Sequence, residues 1–262
     1  MTAVHRNNVK VRGNGTRTLM FAHGYGCDQS MWRSMVPAFE ADHKLVLFDY
    51  VGAGGSDFSA FDRTHYSSLR GYAADVLEII EELELGSVTF VGHSVSSMIG
   101  ALAAIEKPSY FENLVMIGPS PSYINDGDYK GGFDQSDIEG LLALLDSNHL
   151  GWSATMAPLI MGEDKSPELI GELEASFCRT DPLFAQHFAR VTFLSDNRAD
   201  LARVQTRTLI LQCDKDMIAP ITVGEYVHRC LPNSQLEIMH ATGHCPHMSA
   251  PQEVVAHMRR FL

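Results

Sequence analysis

Positive charge is scarce in this chain: 20 Lys and Arg stand against 32 Asp and Glu, a formal net charge of −12 over 262 residues. Such a surface repels polyphosphate backbones, which argues against nucleic acid as a partner. Long apolar runs are missing as well. No stretch of about 18 apolar residues occurs, and the opening MTAVHRNNVK has no apolar segment of the kind a secretion signal carries. The expectation is a soluble, cytoplasmic protein without a membrane partner. The five cysteines (Cys27, Cys178, Cys213, Cys230 and Cys245) are odd in number and form no CxxC pair. Neither a disulfide framework nor a zinc knuckle is suggested, and small buried hydrophobes are expected instead. Internal repeats and low-complexity segments are also absent.

What is present is enough apolar material, 45% of the residues, for one sizeable core. Short apolar runs at 18–22, 45–49, 87–91, 114–117, 208–212 and 236–239 alternate with helical spacing at 68–83, 223–230 and 252–261. That alternation predicts a mostly parallel sheet with helices on both faces. The rhythm fails between Pro119 and Asp196, where 138–145, 152–160, 169–177 and 183–193 have helical spacing with no strand between them. A helical lid at 119–196, inserted in a core of 1–118 and 197–262, is the expectation.

Four segments at strand ends carry the chemistry. In VGHSVS, Ser94 lies between the apolar run SVTFV and a helical stretch through MIGALAAI, so its hydroxyl is exposed on a sharp strand-to-helix turn. The pattern G-x-S-x-G puts glycine where this chain has Ser96. A helix-capping serine after a strand would look similar, so the turn needs corroboration. Upstream, FAHGYG offers a glycine-flanked loop whose Tyr25 amide, with that of Val95, suits an oxyanion hole. Downstream, Asp216 in QCDKD and His244 in ATGHCPH supply acid and base in the order serine, acid, histidine.

Alternatives stay open at several positions. Asp214 is a rival acid and His247 a rival base, while His23 and His93 suit packing better than chemistry. Asp49, in a glycine-rich loop, suits a structural turn. Cys245, His247 and His244 are metal-ligand types, but no second spaced pair accompanies them, so neither metal nor cofactor is expected. Serine at 94, where alkyl-transferring relatives would have aspartate, favours acyl transfer.

With these residues placed, the chain resembles the RsbQ-like α/β-hydrolases, regulators of the bacterial general stress response, and more distantly the plant strigolactone and karrikin receptors. The matching blocks span nearly the whole chain and include FAHGYGCDQSMW, LFDYVGAGGSD, FVGHSVSSMIG, IGPSPSYINDGDYKGGF, FLSDNRADL, LILQCDKDMIAP and GHCPHMS. The resemblance implies an α/β-hydrolase fold with a four-helix lid over a small hydrophobic pocket. It implies the triad Ser94, Asp216 and His244, the oxyanion hole of Tyr25 and Val95, and a pocket lined by Tyr123, Phe133, Trp152, Met156 and Phe193. It also implies a small hydrophobic ester, lactone or ligand, a PAS-domain phosphatase partner and a role in stress signalling. A hydrolase-type receptor with secondary turnover is the alternative it leaves, and a monomer is the default state.

Overall fold

A computed structural model gives the architecture and describes residues 1–162 and 166–262. Seven strands form one sheet: β1 (Lys10–Arg12), β2 (Arg17–Ala22), β3 (His43–Leu47), β4 (Val88–His93), β5 (Phe111–Ile117), β6 (Arg207–Lys215) and β7 (Ser234–Thr242). Their order is β1-β3-β2-β4-β5-β6-β7, and every pairing is parallel except that of β1 with β3. All six residues of β4 are buried, and so are Thr18–Ala22 in β2. Successive side chains point to opposite faces, so burial of every one means that both faces are covered.

The covering helices are α1 (Leu69–Glu82), α2 (Val95–Glu106), α7 (Ile221–Cys230) and α8 (Pro251–Phe261). Among them α1 packs on α2, and α7 and α8 contact β6 and β7. Among the described residues, four further α-helices lie between β5 and β6: α3 (Gln135–Ser147), α4 (His149–Met161), α5 (Pro167–Arg179) and α6 (Pro182–Phe193). Three of these starts carry a side-chain cap: Asn148 accepts from Gly151, Ser166 from Leu169, and Asp181 from Leu183 and Phe184. Proline at the first position of α5 and α6 costs no hydrogen bond there. The chain runs into this insertion and out of it at one place, since the Asn197 amide donates to the Pro121 carbonyl at 2.7 Å.

The chain reverses its direction across the sheet at β2, with β3 laid on one side and β4 on the other. A crevice opens at the carboxyl ends of strands flanking such a point. The loop after β2 and the turn after β4 therefore meet, and the ends of β6 and β7 face the same edge. Asp49 lies just beyond β3, where its carboxylate accepts from the amides of Gln29 and Gly55 and from Asn8, a turn-closing role. The cysteines depart from expectation in part. Cys27, Cys213 and Cys245 are buried, but Cys178, on α5, is exposed and Cys230 half-buried.

Candidate active site

Ser94 sits between β4 and α2 with φ at +56°, a region that residues other than glycine rarely occupy. The turn is held open for it by Gly92. A Cβ at that glycine would lie 2.6 Å from the main chain of Ser96, so no other residue lets strand and helix approach this closely. Ser96 takes the place that the pattern gives to glycine, and it is put to use. Its hydroxyl donates to the His23 carbonyl and accepts from the Tyr50 hydroxyl, fastening the turn to the loops after β2 and β3.

The Ser94 Oγ lies 2.8 Å from Nε2 of His244, and Nδ1 of His244 lies 2.7 Å from Oδ2 of Asp216. A carboxylate only accepts, so Nδ1 carries the proton and Nε2 is left as the acceptor facing the serine. The other oxygen of Asp216 accepts from the amides of Ile218 and Ala219 at 2.8 and 3.0 Å, which fixes the carboxylate's direction. All three side chains are buried. Asp214 is exposed, and His247 is stacked behind the site between Trp32 and His93, with ring centroids 4.6 and 4.4 Å away. The Nε2–H of His93 donates to the His244 carbonyl at 2.8 Å. Burial, then His247 and His244, push His93 well below the ordinary histidine range, and burial pushes His247 down to about 3.

Gly118, at the end of β5, could not have been singled out from the sequence. Its φ is +58°, and a Cβ there would press within 3.1 Å of the His244 ring. The two oxyanion candidates lie where the topology puts them. Val95 opens α2, so its amide has no partner within the helix, and Tyr25 lies on the loop after β2.

A cavity covers Ser94. From the core its wall takes Tyr25, Cys27, Ser94 and His244, with Tyr123 after β5; from the insertion it takes Ile160, Leu173, Phe177, Thr192 and Phe193. Of the five residues the resemblance implied for the pocket, Tyr123 and Phe193 are in this wall. Trp152, Met156 and Phe133 are not. Trp152 backs the wall, its ring 5.7 Å from Tyr25 and 5.3 Å from Phe177. Ile160, Leu173, Phe177 and Thr192 had no sequence signal apart from their helical spacing. The Cys27 thiol is pushed up to about 12 by burial, and burial likewise pushes Cys245 well above its ordinary range, so both serve as protonated apolar wall.

The insertion touches the catalytic elements directly. The amide of His244 donates to the carbonyl of Ile160 at 2.7 Å, the Tyr25 hydroxyl donates to the Ala185 carbonyl at 3.0 Å, and Ser176 donates to the Gly26 carbonyl at 3.0 Å.

Comparison with known proteins agrees with this geometry. The chain is 40% identical over 257 residues to the karrikin insensitive 2 receptor CA of Petunia hybrida, covering 98% of this chain and 95% of that one. It is 37% identical over 256 residues to strigolactone esterase D14 of Arabidopsis thaliana, covering 97% and 96%. Among solved structures, a hydrolase from Oleispira antarctica superposes with a TM-score of 0.97 at 46% identity, covering 99% of this chain and 95% of that one. The profile of the alpha/beta hydrolase family matches residues 19–257. With its serine, histidine and aspartate held in the arrangement of a serine hydrolase, on a parallel sheet matched almost end to end, the chain belongs to the alpha/beta hydrolase family.

Proposed function

We propose that this hydrolase is a receptor-type enzyme: it takes a small hydrophobic ester or lactone onto Ser94 and passes the event to a protein partner. The observation that carries the chemistry is the continuous hydrogen-bonded line from Asp216 through His244 to the Ser94 hydroxyl. His244 removes the proton as Ser94 Oγ attacks the carbonyl, and Asp216 stabilises the imidazolium that forms. The amides of Tyr25 and Val95 hold the developing oxyanion. His244 then protonates the leaving alkoxide, and a water activated by the same imidazole releases the acid from the acyl-serine. No cofactor takes part. Residues 119–196 form the lid, and 1–118 with 197–262 form the core.

The receptor part rests on the relatives named above, which match nearly the full length of the chain. A PAS-domain phosphatase is the partner that the resemblance to bacterial stress regulators implies, and that role in stress signalling rests on the sequence resemblance alone. We place the protein in the cytoplasm as a monomer; among the described residues no helix is long and apolar enough to cross a membrane. The test is twofold. A p-nitrophenyl ester should give a burst of nitrophenol that Ser94→Ala abolishes, with turnover falling about 10⁴-fold or more. Wild-type turnover by that variant overturns the mechanism. In a pull-down with and without ligand, partner capture that changes with ligand supports the receptor role, and capture indifferent to ligand in every case leaves a plain esterase.

A further inference from the structure

The cavity wall holds a polar group that the proposed mechanism leaves unused. Thr192, one residue before the end of α6, lines the cavity and is 1% exposed, and its Oγ1 has no hydrogen-bond partner among the described residues. A hydroxyl within a helix ordinarily satisfies itself by bonding the carbonyl four residues back. In this same insertion Ser147 bonds Ala143, Ser153 bonds His149, and Thr155 bonds Gly151, each at 2.9 Å. Thr192 does not bond Phe188 in this way. The part of the cavity wall that the insertion supplies is otherwise apolar, Ile160, Leu173, Phe177 and Phe193.

Among the cavity's other polar groups, Nδ1 of His93 also lacks a partner among the described residues, but with Nε2 carrying the proton it is an acceptor and cannot donate to a ligand oxygen. Ser94 Oγ and His244 Nε2 face each other at 2.8 Å, and the Tyr123 hydroxyl lies 3.5 Å from the same Ser94 Oγ. Phe193, adjacent to Thr192, packs edge-on against Tyr123 with ring centroids 5.1 Å apart, and both residues line the same cavity as Thr192 and Ser94. A buried O–H without an acceptor is costly, and an orphaned donor is less readily left unmet than a spare lone pair.

We infer that Thr192 is a specificity-determining residue whose hydroxyl donates to the ligand. The inference rests on the hydrolase reading above and narrows its substrate class. The preferred ester or lactone carries a second acceptor oxygen, of ether or carbonyl type, a few bonds from the scissile carbonyl. A purely hydrocarbon acyl or alkyl chain leaves the hydroxyl unmet. A site built to hydrogen-bond one substrate atom rejects the analogue lacking it more strongly than an apolar pocket separates chain lengths.

Matched pairs of esters that swap one CH₂ for oxygen read this directly. On the acyl side the pair is p-nitrophenyl butyrate and p-nitrophenyl methoxyacetate; on the alcohol side it is n-butyl acetate and 2-methoxyethyl acetate. For each pair the ratio of kcat/KM, ether over hydrocarbon, is measured in the wild type, Thr192→Val and Thr192→Ser. Intrinsic reactivity cancels when ratios are compared between variants. The expected result is a drop of about tenfold in the ratio of at least one pair for the near-isosteric Thr192→Val, with Thr192→Ser keeping most of the wild-type ratio. Equal ratios in wild type and Thr192→Val for both pairs overturn the inference. So does an equal drop in Thr192→Ser, which marks a packing effect. Ser94→Ala separates the two levels of argument. If hydrolysis survives in it, the hydrolase reading falls and this inference with it; if hydrolysis is abolished and the ratios do not move, only the role of Thr192 falls.

Discussion

Ser96 makes the turn of this chain distinctive. Its hydroxyl joins three loops, donating to the His23 carbonyl and accepting from the Tyr50 hydroxyl at 2.8 Å, and both partners are buried. In Ser96→Ala, the Tyr50 hydroxyl loses its acceptor and the His23 carbonyl its donor, at an expected cost of about 1–3 kcal/mol. Urea denaturation should show the midpoint falling without a change in slope, and an unshifted midpoint would show that the hydroxyl bears no part of the stability. The sequence allowed Ser96 only as a tolerated departure, because what a hydroxyl bonds across three loops is a tertiary property. Asp216 and Asp214 were separable in the sequence only by loop position. The structure separates them by exposure and by the two amides that Asp216 accepts. Thr192 was invisible for a related reason: helical spacing marks a buried position without saying whether it faces core or cavity.

The elements most legible in the sequence are those with one strong period. The apolar runs that became β2, β4, β5 and β6 are buried on both faces and were found as near-continuous hydrophobic segments. β1 was missed because its three residues are all exposed and have no pattern to read. The insertion's four helices followed from their spacing, although α4 begins at His149, earlier than its first apolar period. Their packing carries a prediction. α5 buries only Leu173 and Phe177, whereas every residue of β4 is buried. Leu173 and Phe177 of α5 line the cavity over Ser94, so admission of substrate past this wall requires α5 to move away from the core. Hydrogen exchange should therefore find the amides of α5 open orders of magnitude faster than those of β4. A serine-trapping sulfonyl fluoride should alter exchange in α5 and leave β4 unchanged. Equal protection of the two elements would mean that substrate does not come in past α5.

At the scale of the whole molecule, periodicity could predict a covered parallel sheet but not the order of its strands, since crossovers leave no local pattern; the expectation of this particular fold came from the order serine, acid, histidine at strand ends together with the resemblance. Nor could composition reveal that histidines are stacked behind the site, although their placement governs how the protein responds to acid. His93 and His247 are fully enclosed, and both are held neutral, His247 down to about 3 through burial. Unfolded, each returns to an ordinary value near 6.5, so between about pH 3 and 6.5 the unfolded chain binds the extra protons. Stability conferred by these groups is thus present above pH 6.5 and is lost as pH falls below it. For His247 alone, the folding equilibrium should weaken roughly 25-fold from pH 7 to pH 5, about 2 kcal/mol. The raised carboxyl of buried Asp75 works in the opposite sense, and the lowered carboxylates Asp28 and Asp196 work in the same sense as the histidines. His247→Phe isolates the histidine contribution. Neither ring nitrogen of His247 has a partner among the described residues, and the ring packs between Trp32 and His93, so phenylalanine keeps an aromatic contact there and removes the titration. Denaturation at pH 7 should find this variant at least as stable as the wild type, and between pH 7 and pH 5 its stability should fall less by the contribution of one proton. A slope identical to the wild type's would mean that His247 is not the group that titrates on unfolding, and that the acid sensitivity of the fold lies elsewhere.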